Sequence, residues 1–281
     1  MTERLADVSA RIENIRQLGT VVNAMRGIAG ARAQAARAQL AAVESYTAII
    51  AAAIGRVLTL LGAAPRPQGR AQRPAQVLFC AEQGFAGAFS EHVLDLAAPG
   101  AGVFLLGTRG GAIAAERGLV PGWSHALPAA LSGVPRLAGQ VATALYARID
   151  AGGVDQIDAV YQRWRQGAGL QTECRRLLPL DLADFPETAM RSPPLLNLPP
   201  EALLAALTAD YVHAALCQAA LHSFVAENEA RMATMAAAHR HIGHQLQTLE
   251  LTRRIVRQEE ITAEIIELAA GQAANGTPPP V

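Results

Sequence analysis

Residues 221–256, LHSFVAENEARMATMAAAHRHIGHQLQTLELTRRIV, place apolar side chains at helical spacing. One row reads Leu221, (Asn228), Met235, Ile242, Leu249, Val256, and its companion reads Val225, Met232, (His239), Leu246, (Arg253). Seven-residue rows of this kind predict a helix that seats itself against another helix, with the polar members fixing register. The pattern lies within Glu201–Gly271, which has no proline and only Gly243 as an interior glycine. At ~1.5 Å per residue such a helix runs to about 100 Å, more than one globular domain needs. Toward its end the apolar stripe shifts to Ile261, Ile265 and Leu268.

A partner for that seam opens the chain. From Thr2 to Leu61 every seventh residue from Val8 is apolar: Val8, Ile15, Val22, Ala29, Ala36, Val43, Ile50, Val57. The companion row, Leu5, Ile12, Gly19, Arg26, Ala33, Leu40, Thr47, Ile54, breaks at Gly19, Arg26 and Thr47. Ala29, Ala33 and Ala36 predict close approach of the partner helix. The two ends can pair as an antiparallel coiled coil only if a compact middle returns the chain to its starting side.

The middle alternates strands and helices. Strands are expected at Ala75–Cys80, Val103–Leu106, Gln156–Trp164 and Gln171–Leu180. Helices are expected at Ala86–Leu96, Gly111–Arg117 and Val134–Asp150. That order predicts a small Rossmann-like α/β sheet with helices packed on it. The expected organisation is therefore α/β with long helices: a coiled-coil helix at 1–62, an α/β domain at 75–182, a coiled-coil helix at 200–272, and a disordered tail at 275–281. Pro- and Gly-rich linkers, 62–74 and 186–200, join the parts.

Composition narrows the function. Alanine supplies much of the 51% hydrophobic content and aromatics are 4%, which suits helix pairing better than an aromatic-rich core. Net charge is zero, against a nucleic-acid binder that relies on a basic surface. All 24 basic residues are arginine, so Walker, Schiff-base and general-base lysines are excluded. Cys80, Cys174 and Cys217 have no zinc spacing, and read as reduced thiols in a cytosolic compartment. Ala48–Ala64 is the best membrane candidate, but Arg56 interrupts it, and a buried helix end is the preferred reading.

Three features carry residue types that could support chemistry. The turn Glu82-Gln-Gly-Phe-Ala-Gly87 follows a strand and opens a helix, as a phosphate cradle does. It lacks the fingerprint spacing, so a tight strand-to-helix turn is favoured and no cofactor is expected. His239, His241 and His244 lie close together with no acidic residue at ligand spacing on that face, so no metal is expected. Arg253, Arg254 and Arg257 precede Glu259, Glu260 and Glu264, which predicts helix pairs at i, i+3 and i, i+4 on a solvated face.

At the C-terminal helix the chain resembles a known family. Glu227-Asn-Glu-Ala-Arg-Met-Ala-Thr-Met235 is similar to the ARM-x-AM signature of the gamma subunit of F-type ATP synthase. Arg257-Gln-Glu-Glu-Ile-Thr-Ala-Glu-Ile-Ile-Glu-Leu-Ala-Ala-Gly271 resembles that family's RQ-x-x-IT-x-EI-x-EI-x-x-G ending. Val22-Asn-Ala-Met-Arg-Gly-Ile-Ala-Gly-Ala-Arg32 resembles its TKAM-x-MVA-x-x-K stretch, and Cys80–Ser90 a degraded form of its SD-x-GLCGG-x-N turn.

The resemblance implies a non-catalytic rotor: terminal helices forming a central stalk inside a ring of alpha and beta subunits. The α/β domain would sit at the foot, near the epsilon subunit and the membrane ring of c subunits. It implies a peripheral protein, without a membrane span of its own, on the cytoplasmic face of a bacterial inner membrane. By motif position Arg231, Gln258, Thr262 and Glu264 would contact beta-subunit loops. Met25 and Arg26 would lie at the corresponding height on the other helix, and Arg32 stands where the family has a lysine of the same interface. Ala263, Gln83, Phe85-Ala86 and the His239–His244 stretch depart from the family pattern and point to a divergent, alternative F-type ATPase branch. The alternatives left open are an unrelated coiled-coil scaffold with an α/β head and, third, an enzyme built on the α/β domain.

Overall fold

The computed structural model describes residues 2–62, 72–185 and 195–275. Most of the expected linkers and the tail from residue 276 lie outside the described residues. Two long helices, α1 (Thr2–Leu61) and α5 (Pro200–Asn275), enclose a five-stranded α/β unit in sequence. The chain divides into two compact units, one of 1–28 with 232–281 and one of 29–231, so both helices contribute to both.

In the first unit α1 and α5 run antiparallel. Arg4 pairs with Glu259 at 3.3 Å and Arg16 with Glu250 at 2.8 Å. Val22, Met235 and Ile242 are buried between them, with Ile15, Met25, Ala238 and Leu246 packed around. The supposed break at Gly19 is a fit: a Cβ there would stand 3.2 Å from Cγ2 of Ile242, so the missing side chain makes room for the facing isoleucine. Arg26 is the true break, exposed, with Met25 turned into the seam instead.

The second unit holds the sheet, in the order β3-β2-β1-β4-β5. The strands are β1 (Pro74–Phe79), β2 (Gly102–Leu106), β3 (Trp123–His125), β4 (Gln156–Arg165) and β5 (Gly169–Leu178). β3, β2, β1 and β4 are parallel and β5 closes the edge antiparallel to β4. Continuous apolar runs such as Val77-Leu-Phe79 and Val103-Phe-Leu-Leu106 form central strands because both faces are covered. Helices α2 (Phe89–Leu94) and α3 (Thr108–Glu116) cover one face, through Val93, Leu94 and Ala114. The other face takes α4 (Val134–Asp150) and the Val212–Leu221 part of α5. In α4 the buried residues Val134, Leu137, Ala138, Val141, Ala142 and Leu145 fall on one helical stripe.

On α1 in this unit Ala33, Ala36 and Ile54 are fully buried, and Ile50 and Val57 nearly so. Thr47 is buried too, and its hydroxyl donates to the Val43 carbonyl at 2.8 Å, which settles the second supposed break. Ile50, Ile54, Val57 and Leu58 of this apolar run are buried within the chain, which fits a packed helix end. By length and hydropathy α1 and α5 both pass as membrane-crossing helices, a test that a packed core helix also passes.

Some local readings shift. The helix expected at Ala86–Leu96 starts at Phe89 and ends at Leu94. Strand β3 was missed because Trp123-Ser-His125 is three residues long with no apolar alternation. The predicted ladder of ion pairs within Arg253–Glu264 is absent among the described residues; Glu259 is drawn across to Arg4 of α1.

Candidate functional site

The seven residues expected at partner contacts fall into three environments. Gln258, Thr262 and Glu264 on α5 are exposed, and the Thr262 hydroxyl donates to the Gln258 carbonyl at 2.8 Å. At ~100° per residue, Leu251, Ile255, Gln258, Thr262 and Ile265 share one face, turned away from buried Val256. Leu251 and Ile255 are each 57% exposed and Ile265 60%. Ile261, Ile266 and Leu268 add to this apolar surface. Among the described residues of its unit nothing covers this surface, and Glu259 beside it is paired with Arg4 of α1. Exposed isoleucine and leucine in such density mark a surface that another molecule covers.

Met25 and Arg26 belong to the same unit, one half-buried in the seam and the other in solvent. His241 and His244 share a cleft of about 370 Å³ with Arg11, Ile15, Gln245, Thr248 and Leu249. No group of three or more His, Cys, Asp or Glu side chains converges on a metal position among the described residues.

Arg231 is different from what its motif suggested. It is 6% exposed and faces inward. Its guanidinium donates to the carbonyls of Gly84 (3.2 Å) and Gln83 (3.4 Å), to Oδ1 of Asn228 (3.1 Å), and to the Glu227 carboxylate. Glu227, one turn earlier on α5, accepts the backbone N–H groups of Glu82 (3.4 Å) and Gln83 (3.2 Å). Asn228 completes the set by donating to the Phe224 carbonyl at 2.8 Å. Arg32, exposed on α1, reaches Oε1 of Gln83 at 3.5 Å. Two of the seven residues therefore meet at the turn 82–87 rather than at an open face.

That turn sits at the carboxyl ends of the strands, beside the point where the sheet order passes from β1 to β4. Doubly wound sheets bind ligands in that crevice. Here Ala226 and Ala230 of α5 fill it, packed with Ala81, Ala86, Phe89, Trp164 and Leu170. The turn amides that would cradle a phosphate are bonded to Glu227 instead. The Glu82 carboxylate bridges outward, accepting from the Thr108 N–H (3.0 Å), the Thr108 hydroxyl (2.8 Å) and the Leu127 N–H (2.8 Å). Phe85 holds a left-handed backbone (φ 63°) and is 64% exposed.

Sequence reasoning missed Glu227 and Glu82 as organisers. A partial signal existed for the first: Glu227 and Arg231 stand at i, i+4, the spacing of a helical ion pair, with Ala226 and Ala230 beside them. Nothing local marked Glu82, because its partners Thr108 and Leu127 are distant in sequence.

A second buried polar residue is His222. Its ring stacks on Tyr161 (centroids 5.7 Å apart) and its Nε2 lies 3.5 Å from Glu44 without a hydrogen bond. Burial first, and the nearby Arg163 guanidinium second, pull its pKa down to about 4, so the ring is neutral at ordinary pH. Burial likewise pushes the Cys80 thiol up to about 12, leaving it unreactive.

The comparisons with known proteins agree with one another. A family model described as ATP synthase matches residues 4–274. The ATP synthase gamma chain of Parafrankia sp. (strain EAN1pec) is 27% identical over 295 residues, covering 98% of each chain. That of Streptomyces avermitilis is 28% identical, covering 98% of this chain and 97% of the relative. Among solved structures, a chain of the Euglena gracilis mitochondrial ATP synthase OSCP/F1/c-ring assembly superposes with a TM-score of 0.67 at 13% identity, covering 99% of this chain and 98% of that one. A chain from the Tetrahymena thermophila central stalk and c-ring gives 0.57 at 18%, covering 78% and 99%.

Proposed function

The chain belongs to the ATP synthase gamma family, and from that premise we propose that it is the rotor of a rotary ATP synthase's central stalk. It carries no catalytic group of its own. Its partners are the alpha and beta subunits of the catalytic ring, the epsilon subunit and the c-subunit ring. The complex is peripheral to the membrane on this chain's side, and we place that side at the cytoplasmic face of a bacterial inner membrane.

The observation that carries this reading is the uncovered end of α5. From Arg257 onward the helix presents Gln258, Thr262 and Glu264 beside an apolar surface that no other described part of its unit covers. We assign these three, with Met25, Arg26 and Arg32, to partner contacts. Arg231 supports them from inside the chain.

The coupling follows from symmetry. A single α-helical rotor has no threefold axis, so each of three chemically identical beta subunits meets a different side of it. Each rotor orientation favours a different beta conformation by differential contact. Linkage makes this reciprocal: orientation alters nucleotide affinity, and nucleotide occupancy biases orientation. Contacts that must form and break on every step have to be weak. Exposed polar pairs, worth about 1 kcal/mol or less each, meet that need. Purification of the complex from native membranes tests the reading; a chain that does not appear in stoichiometric amounts with alpha and beta partners is not this rotor.

A further inference from the structure

The turn 82–87 is an anion site that the chain fills with its own carboxylate. Two successive amides converge on Glu227, the geometry by which backbone nests hold anions. Arg231 closes the arrangement from the other side, bonding the carboxylate and two carbonyls of the same turn. Glu227, Asn228 and Arg231 are 4%, 2% and 6% exposed, so these bonds are sheltered from solvent. From the turn, Glu82 carries the connection on to Thr108 at the start of α3 and to Leu127 ahead of α4. One polar chain thus runs from its buried end on α5, through the turn, to two further loops at the carboxyl edge of the sheet, where it reaches solvent at Thr108.

We propose that Glu227 and Arg231 are a torque latch: positioning residues that make α5 and the carboxyl edge of the sheet turn as one body. This rests on the rotor reading. Apolar packing of Ala226 and Ala230 resists separation but has no direction, so it allows small slips along or around the helix. Directed bonds from a planar guanidinium to four acceptors on two elements resist rotation as well. The latch also fixes the turn that displays Phe85 in its left-handed conformation, which an unrestrained phenylalanine seldom adopts.

The test uses the whole complex reconstituted in vesicles, with ATP hydrolysis and hydrolysis-driven ion uptake measured separately. Glu227→Ala should leave hydrolysis close to native while uptake per ATP falls at least about fivefold, within the usual range of coupling effects. It also leaves two amides and a guanidinium facing a carboxylate-sized gap, so added formate should restore uptake. Arg231→Lys keeps the charge but loses the fork, and should uncouple without response to formate. If Glu227→Ala fails to assemble, Glu227→Gln, which retains an acceptor oxygen for the amides, takes its place and should lose part of the uptake. Unchanged uptake per ATP in these variants overturns the latch, and so does a loss that formate cannot reverse in Glu227→Ala. Native complex that assembles and pumps while the variants behave like it defeats the latch alone; native chain that never joins the ring defeats the rotor reading.

Discussion

Two stretches of the same helix, Tyr211–Arg231 and Arg257–Gly271, have similar residue types and opposite environments. In the first, nearly every side chain is buried, because α1 covers one side and the sheet covers another. In the second, nearly every side chain is in solvent, including Ile261, Ile265, Ile266 and Leu268. Both contain one arginine with glutamates within helical reach of it. In the first, Arg231 and Glu227 are spent on the chain's own turn; in the second, Arg257 and Glu264 are exposed and Glu259 pairs with Arg4 at the surface. The difference teaches that a family motif does not announce the direction of its side chains. The arginine of the ARM-type signature is buried against the chain's own turn, and the Gln258–Glu264 block lies exposed.

The sharpest way to break that contrast is Arg231→Ala. It leaves Glu227 buried and uncompensated, which costs about 3–5 kcal/mol of stability. A shift of that size is read from denaturant melts of the purified chain. A change below about 0.5 kcal/mol, the value for an ordinary surface position, would mean that Arg231 belongs with the exposed set after all.

Next in size is an effect of pH on the buried stretch. His222 binds a proton with a pKa of about 4 in the folded chain, against an ordinary value of 6.5. Above pH 6.5 neither state is protonated and the residue contributes nothing. As pH falls below 6.5 the unfolded chain takes up the proton first, so stability drops until the folded value near 4 is reached. The loss over that window is on the order of 2–3 kcal/mol at a slope approaching 1.4 kcal/mol per pH unit. The groups around His222 are Glu44 on α1, Tyr161, Arg163 and Arg165 on β4, and Glu173 and Arg175 on β5. His222→Phe keeps the stack on Tyr161 and removes the titration. Its stability should fall less steeply between pH 6.5 and 4.5; identical slopes for both proteins would remove His222 from the account.

How much of this was legible in advance depends on whether the partner of a residue was local. The heptad rows were, since Val22, Ala29, Ala36, Ile50 and Val57 all land in the buried stripe. So were the central strands, whose apolar runs can exist only under cover on both faces. Gly19 and Thr47 were read as defects because the facing Ile242 and the satisfied hydroxyl cannot be seen along one chain. The turn after β1 could be read as a turn, but its plug, Glu227, lies 145 residues away from Glu82. Resemblance placed Arg231 among the contact residues by position alone, whereas burial is decided by what α5 packs against. The exposed end of the helix was legible in its sequence; that nothing among the described residues of its unit covers it was not.

The smallest expected change in stability belongs to the surface stretch, and it comes with the clearest change in function. Gln258 and Thr262 have exposed side chains, and the one hydrogen bond there, from the Thr262 hydroxyl, goes to a carbonyl of its own helix. Replacing both with alanine should alter stability by no more than about 0.5 kcal/mol, and alanine's higher helix propensity offsets part of any loss. Yet if these side chains make contacts that differ between rotor orientations, their removal lowers the coupling free energy itself. Coupled ATPase activity of the assembled complex should therefore fall while the subunit stoichiometry and the melting curve of the chain stay as they were. Arg231→Ala has the opposite signature, a large loss of stability that accompanies any loss of coupling. A double variant with normal activity would mean that the uncovered face acts through its isoleucines and leucines alone, and would move the contact assignment from Gln258 and Thr262 to Ile255, Ile265 and Ile266.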